Sequence, residues 1–402
     1  MDVRTTLETL LAVSVVAFLA PILIPLVPGP RIPQVVLLLV GGMVIGPQVL
    51  GVADPDSVQL LADVGLGFLF LLAGYEVDQR LLRLDPGRRA ALSWFVTVAL
   101  ALAAVWVLYT LGVVRAFVAV AIALTTTALG TLLPILREHQ LLRGRLGQHL
   151  LAAGAVGELL PIVAVALFLG ANNRFVALAS LGAVLAVAVG LTLLGRRFPG
   201  RLRTILQEGQ HETTQVTVRG TVLLLTLLLA VAEEFHLDAV LGAFLAGMVL
   251  RRWTGHGLPA LESKLDALGY GFFIPLFFVY SGMSLDLREV ISSPLRVFLF
   301  AALMLLVHVV PVLLIYRREL ATRERWQMAF VVSTALPLVV AIAEIGRRNG
   351  TMLPENAAAL VGAGVLTVLV FPAIAVALRR SVPDEPHAVP GTKDAPDRAQ
   401  PS

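Results

Sequence analysis

One carboxylate lies in the middle of a long apolar run. Glu158 has no charged residue within a dozen positions on either side. An ionisable group at such a place is costly and usually marks a path for ions or protons. We therefore predict that Glu158 lies on such a path and binds ions or protons; the structural alternative is a protonated carboxyl that hydrogen-bonds to a neighbouring helix.

Two further apolar runs contain residues that weaken a helix at their midpoints. One carries three consecutive threonines, and the other carries a proline. β-Branched polar residues and proline both disfavour a continuous helix. We predict helix breaks at Thr125 and at Leu336 with Pro337, and we expect Thr126 and Thr127 to offer neutral oxygens to a cation. A helical threonine can instead bond to its own i−4 carbonyl, and membrane helices tolerate proline kinks.

A histidine lies near the middle of a fourth apolar run. Imidazole changes its charge near neutral pH. His308 can therefore pair with an ionised Glu158 when no ion is bound there, and it can make ion binding at Glu158 sensitive to pH. A neutral histidine serves equally well as a structural hydrogen-bonding group, and the sequence leaves both interpretations open.

The composition places these groups in a membrane. Of the 402 residues, 57% are hydrophobic and only 14% are charged, and the mean hydropathy is +0.86. An average soluble domain has ~25% charged residues, so a soluble enzyme, a nucleic-acid-binding protein and a disordered chain are excluded. The chain has no cysteine, and we expect no cofactor.

Thirteen apolar segments recur, and they predict an all-α polytopic membrane protein with about 13 transmembrane helices. Their approximate limits are 6–27, 33–51, 57–76, 89–112, 114–136, 148–170, 174–195, 217–234, 237–250, 266–283, 294–316, 327–346 and 353–378.

The distribution of basic residues predicts the orientation of these segments. With the N-terminus outside and the C-terminus cytoplasmic, 24 of the 31 lysines and arginines face the cytoplasm, as the positive-inside rule requires. The expected location is the inner membrane of a bacterial-type cell. Residues 196–216 are expected to form a basic interfacial connector, and residues 381–402 a disordered cytoplasmic tail.

The remaining acidic residues are expected to have solvated or ion-paired positions. Asp63 lies near the outer end of its segment, and Glu344 is close enough to Arg347 and Arg348 for an ion pair. The others lie at segment ends, where we expect a solvated interface: Asp54, Asp56, Glu76, Asp78, Glu233, Glu234, Asp286 and Glu289.

The polar midpoints form a symmetrical pattern. Segments 4–6, at 89–170, contain the threonine break and Glu158, whereas segments 11–13, at 294–378, contain His308 and the proline break. Because the two groups are offset by seven segments, they cross the membrane in opposite senses. Broken helices at corresponding places in inverted repeats indicate the binding site of a secondary transporter.

Four runs of sequence resemble the monovalent cation:proton antiporter superfamily. They are RIP at 31–33 with GGMVIGPQVLG at 41–51, LADVGLGFLFLLAGYEVD at 61–78, LGAFLAG at 241–247, and FFIPLFFVYSGMSLDL at 272–287. The resemblance extends over residues 1 to about 380. It is nearest to the branch that holds bacterial sodium/proton antiporters and the membrane domains of potassium-efflux antiporters.

The resemblance implies a sodium/proton antiporter-like fold in which two broken helices cross. It also implies that a core, segments 4–6 and 11–13, moves against the remaining segments, which form a scaffold and a homodimer interface. Glu158 matches the ion-binding aspartate of the family. Three positions depart from the family pattern: Gly157 replaces an Asp, Asn or Gln, His308 replaces a lysine, and Leu336-Pro337 replaces an arginine.

The predicted function is the exchange of Na⁺ or K⁺ for protons by alternating access, in a role such as pH homeostasis. Because Gly157 cannot titrate, we expect one proton per cation and electroneutral transport. The alternatives are an organic-anion carrier of a related inverted-repeat fold, a sensory or ligand-gated membrane domain, and a cation channel. A lone buried acid disfavours the anion carrier, and channels need rings of ligands from repeated subunits.

Overall fold

Within the described residues, the chain folds into sixteen α-helices, and no strand occurs there. The computed structural model describes residues 3–26, 33–77, 80–169, 174–196, 215–235, 237–254, 259–285 and 293–380. The first eight helices are α1 Val3–Leu23, α2 Gln34–Ile45, α3 Gln59–Glu76, α4 Asp85–Thr110, α5 Phe117–Leu124, α6 Leu129–Glu138, α7 Gly144–Phe168 and α8 Arg174–Arg196. The other eight are α9 Val216–Glu234, α10 Ala239–Thr254, α11 Pro259–Leu268, α12 Ile274–Met283, α13 Pro294–Ile315, α14 Thr322–Val332, α15 Pro337–Arg348 and α16 Pro354–Arg380.

The protein is a multi-pass membrane protein, and each predicted apolar segment contains helix. Among the residues that the structure describes, ten helices or helical runs are long and apolar enough to cross a membrane. The other segments hold shorter helices, namely α2, α10 and the pair α5 and α6, so the number of thirteen crossings stays a prediction. Several predicted features lie outside the described residues: Arg31, Asp78, Asp286, Glu289, residues 197–214 of the connector predicted at 196–216, and the tail 381–402.

Both predicted helix breaks occur in the structure. The fifth segment divides into α5 and α6 at residues 125–128, and the twelfth divides into α14 and α15 at residues 333–336. The tenth segment begins earlier than predicted. Charged residues of its first helix, α11, line a cavity between helices. A π-helical turn at Gly269–Phe273 connects α11 to α12.

The small-residue run at 241–247 packs within the chain. A Cβ atom on Gly247 would overlap the carbonyl oxygen of Leu71, and one on Gly74 would overlap that of Phe244. Helices α3 and α10 therefore approach each other closely enough that only glycine fits at these contacts. This packing brings the α3 segment that ends at Glu76 beside α10 and α11.

Candidate functional site

The two broken helices bond to each other at their interruptions. The backbone N–H of Ala128 donates to the carbonyl of Thr334 over 2.7 Å. The hydroxyl of Thr127 donates to the carbonyl of Val332, also over 2.7 Å. Two interruptions that are about 200 residues apart in the chain thus supply hydrogen-bond partners to each other's backbone groups. Backbone groups that are buried in a membrane need such partners within the protein.

The hydroxyl groups of the three threonines are all engaged as donors. Thr125 donates to the carbonyl of Ile122, and Thr126 donates to that of Ala123, each over 2.8 Å. These bonds satisfy carbonyls in the last turn of α5. Each hydroxyl oxygen keeps lone pairs, so the role of Thr126 and Thr127 as cation ligands stays a prediction.

The carboxylate of Glu158, on α7, lies against the first turn of α6. The backbone N–H of Gly130 donates to its Oε1 atom over 3.2 Å, and the glutamate is only 9% exposed. The first N–H groups of a helix lack partners within the helix and carry partial positive charge, so this position favours a negative group. Helix α7 supplies the carboxylate, and the first turn of α6 supplies the donor.

Gly157 has no room for a side chain because Thr127 lies against it. The N–H of Thr127 donates to the carbonyl of Gly157 over 3.0 Å. A Cβ atom on Gly157 would be 2.6 Å from the hydroxyl oxygen of Thr127. The glycine, where the resemblance leads one to expect Asp, Asn or Gln, is therefore a contact surface for the broken helix.

Glu76 is a second carboxylate beside Glu158, and it was not among the predicted site residues. An atom at the Cβ position of Gly130 would lie 3.0 Å from Oε2 of Glu76 and 3.9 Å from Oε1 of Glu158. Glu76 is exposed, but it faces a cavity between helices. Its position at the end of a segment predicted a solvated interface. No periodic signal in the sequence shows that a cavity connects Glu76 with Glu158.

Both carboxylates line one cavity of about 450 Å³, which we call the Glu158 cavity. One wall consists of residues from α3, α10 and α11, and the other of residues from α6 and α7. Its charged residues are four acids and two arginines: Glu76, Glu158, Glu262, Asp266, Arg137 and Arg251. The cavity is therefore a net acidic path from one end of the helix bundle to Glu158.

His308 contacts the end of α5. Its Nδ1 atom is 2.8 Å from the carbonyl oxygen of Met304, and a second hydrogen bond joins it to the backbone of Thr125. The imidazole is buried. In this structure, the described hydrogen bonds of His308 go to backbone groups, and its pairing with Glu158 stays a prediction.

Leu336 and Pro337 end the second interruption. Both are buried, and Pro337 is the first residue of α15. Proline fits this position because its missing N–H would have no helical partner there. These two residues shape the break and bring no charge to it.

The predicted ion pair of Glu344 with its neighbours is confirmed. Its carboxylate is 3.0 Å from Nη2 of Arg347 and 2.7 Å from Nε of Arg348. Glu344 is therefore compensated by cations on its own helix.

Comparisons with known proteins agree with this architecture. The putative Na⁺/H⁺ antiporter YjbQ of Bacillus subtilis (strain 168) is 26% identical over 92% of this chain and 62% of its own length. The glutathione-regulated potassium-efflux system protein KefC of Salmonella schwarzengrund is 28% identical over 94% of this chain and 61% of its own length. The chain thus spans about three-fifths of the length of these curated relatives.

A solved structure shares the fold. The sodium proton antiporter MjNhaP1 of Methanocaldococcus jannaschii superposes with a TM-score of 0.59, covering 93% of this chain and 94% of that one at 19% identity. The model of the family described as "Sodium/hydrogen exchanger, transmembrane" matches residues 14–378. The broken-helix fold and this match over most of the sequence show that the chain belongs to the transmembrane sodium/hydrogen exchanger family.

Proposed function

We propose that the protein exchanges a monovalent cation, Na⁺ or K⁺, for a proton across the membrane. The observation that carries the proposal is the position of Glu158, a buried carboxylate at the crossing of two broken helices that an acidic cavity reaches from one end. The relatives named as a putative sodium/proton antiporter and as a potassium-efflux protein support the substrate class. They do not favour one of the two cations.

Competition at Glu158 couples the two flows. The carboxylate binds either a proton or the cation, and the N–H of Gly130 holds Oε1 in place for both. Thr126 and Thr127 supply neutral oxygens from the interruption. Because the loaded site carries the same net charge in both forms, exchange is electroneutral. An organic anion is disfavoured because the cavity contains more carboxylates than arginines.

Alternating access arises from movement between two groups of helices. The core contains the predicted segments 4–6 and 11–13, and the scaffold contains the others. The walls of the Glu158 cavity come from both groups, with α3, α10 and α11 on the scaffold side and α6 and α7 on the core side. Relative movement of the groups closes this cavity and opens a path from the other end.

The proposed orientation places the Glu158 cavity on the cytoplasmic side. The N-terminus is then outside and the C-terminus cytoplasmic, as the distribution of basic residues predicts. The location is the inner membrane of a bacterial-type cell, and the assembly is a homodimer formed through the scaffold. His308 anchors the end of α5 and thereby positions the threonine interruption.

Everted membrane vesicles from a host that lacks its own cation/proton antiporters test the proposal. Addition of Na⁺ or K⁺ dissipates a preformed proton gradient if the protein exchanges that cation. Glu158→Gln keeps the volume of the side chain but cannot release a proton, so we expect no exchange. Glu158→Asp retains part of the activity with a changed pH profile.

The matched control is Glu8→Gln, which neutralises an exposed carboxylate on α1 that pairs with Arg4. It should leave exchange unchanged at equal amounts of protein in the membrane. Exchange by Glu158→Gln at the wild-type rate would refute the proposed carrier role of Glu158.

A further inference from the structure

Arg348 connects helix α15 to two helices that are distant in the sequence. Its guanidinium donates to Asp63 on α3, with Nη2 to Oδ1 at 2.9 Å and Nη1 to Oδ2 at 3.4 Å. Nη2 also donates to the hydroxyl of Tyr280 on α12 over 3.2 Å. That hydroxyl donates to Glu344 over 3.3 Å. One arginine thus holds three helices together.

We call Asp63, Tyr280, Glu344 and Arg348 the Arg348 cluster. It borders a cavity of about 840 Å³ that residues of α3, α9, α12 and α15 line. Asp63 and Glu76 are thirteen residues apart on the same helix, which corresponds to about 20 Å along its axis. The cluster therefore lies at the opposite end of α3 from the Glu158 cavity.

We propose that the Arg348 cluster is an ion-pair latch that holds the end of the transporter opposite the Glu158 cavity closed. The proposal rests on the proposed function, in which α15 moves with the core while α3 and α12 belong to the scaffold. The bonds from Arg348 to Asp63 and Tyr280 cross between these two groups. A path between α3 and α15 cannot open without separating those bonds.

The adjacent arginine provides a matched control within the same helix turn. The described hydrogen bonds of Arg347 all go to Glu344, on its own helix. Loss of Arg347 removes the same charge and the same side chain as loss of Arg348, but it breaks no bond between α15 and the scaffold. If the cluster is a latch, loss of Arg348 therefore has an effect that loss of Arg347 does not have. If only the charge matters, the two losses have the same effect.

The absence of cysteine from the sequence allows a direct accessibility test. Ala341 is fully buried and lines the cavity next to the cluster. It lies about one turn closer than Glu344 to the interruption that precedes α15. We expect a membrane-impermeant maleimide, added to the side of the membrane that this cavity faces, to label Ala341→Cys slowly in the latched protein.

Arg348→Gln should increase the labelling rate about fivefold, since a partly exposed ion pair contributes modestly and its loss shifts the conformational population by that order. Asp63→Asn should give a similar increase. The labelling rate of the double variant should be no more than about twofold above that of either single variant, because both changes break the same bond. Arg347→Gln should leave the rate within about twofold of the parent.

Equal increases in the labelling rate for Arg347→Gln and Arg348→Gln would overturn the latch proposal. A labelling rate that is unchanged in both Arg348→Gln and Asp63→Asn would also overturn it. If Arg348→Gln does not assemble in the membrane, Asp63→Asn with Arg347→Gln as its control gives the same decision. Labelling requires no transport, so it separates the latch from the proposed function. Cation exchange that depends on Glu158 together with unchanged labelling refutes the latch alone, whereas increased labelling without exchange of any cation refutes the function alone.

Discussion

Replacement of Glu76 by Gln should weaken cation binding without abolishing transport. The distances from Gly130 place Oε2 of Glu76 no more than about 7 Å from Oε1 of Glu158. A cation bound at Glu158 is therefore attracted by Glu76 as well. Gln keeps the volume of the side chain and removes its charge, so the variant isolates this electrostatic attraction.

The size of the effect follows from Coulomb's law. Two unit charges about 7 Å apart interact by about 0.6 kcal/mol in water and by about 2.4 kcal/mol at an effective dielectric constant of 20. Glu76 is exposed to the cavity, so solvent screening places the loss near the lower value. We expect the apparent KM for the cation to rise about three- to eightfold, which corresponds to a loss of about 0.6–1.2 kcal/mol.

The pH dependence of this change makes the prediction specific. A proton has the same charge as the cation, and removal of Glu76 weakens the binding of both competitors to Glu158. At high pH, where the cation has little competition, the full increase in KM should appear. At low pH, where the proton occupies the site, the two losses cancel and the ratio of KM values approaches one.

The assay is cation-dependent dissipation of a proton gradient in everted vesicles at several pH values. Glu262→Gln is the matched control, because Glu262 lines the same cavity but is compensated by Arg251 and bonded to Tyr75. Its KM should change less than about twofold. An equal increase in KM at high and low pH, or no increase at high pH, would refute the electrostatic reasoning, and complete loss of exchange would show that Glu76 itself is a carrier.

Two further predictions concern Gly157. Gly157→Ala places a Cβ atom 2.6 Å from the hydroxyl oxygen of Thr127, so it should lower the stability of the protein by about 1–3 kcal/mol and lower its melting temperature in detergent. Gly182→Ala on α8, where a Cβ atom would meet nothing within 4 Å, is the control and should not lower the melting temperature; equal melting temperatures for the two variants would contradict the tight contact. Because Gly157 cannot titrate, an imposed membrane potential should leave the exchange rate in proteoliposomes at pH 8 unchanged, and a strong dependence on voltage would require a second titrating carrier.

The helix breaks are predictable from sequence because their causes are local. Three adjacent threonines weaken the helix at Thr125, and Pro337 can begin α15 but cannot continue α14. The ion pair of Glu344 with Arg347 and Arg348 is local in the same sense, since residues three and four positions apart lie on one face of a helix. In each case, the residues that determine the feature lie within one or two helical turns.

The geometry around Glu158 depends instead on contacts between distant segments. The hydrogen bond from Thr127 to Val332 and the position of Glu76 beside Gly130 depend on how whole helices pack. A glutamate at the end of an apolar segment looks the same in the sequence whether it faces bulk water or a cavity that extends into the protein. The inverted repeat predicts that the two breaks correspond, but it does not predict which carboxylates the crossing brings together.

Gly157 shows why a departure from a family pattern needs the structure for its interpretation. From the sequence, a glycine beside Glu158 means only the loss of one titratable or amide side chain. In the structure, its missing side chain gives Thr127 the space to donate its N–H to the Gly157 carbonyl, while the Thr127 hydroxyl reaches Val332. The glycine therefore bonds α7, which carries Glu158, directly to the crossing of the two broken helices. A change at residue 157 should alter the position of the Glu158 carboxylate as well as its electrostatic surroundings. An effect of such a change on transport can therefore be attributed to charge only if the melting temperature shows that this contact persists.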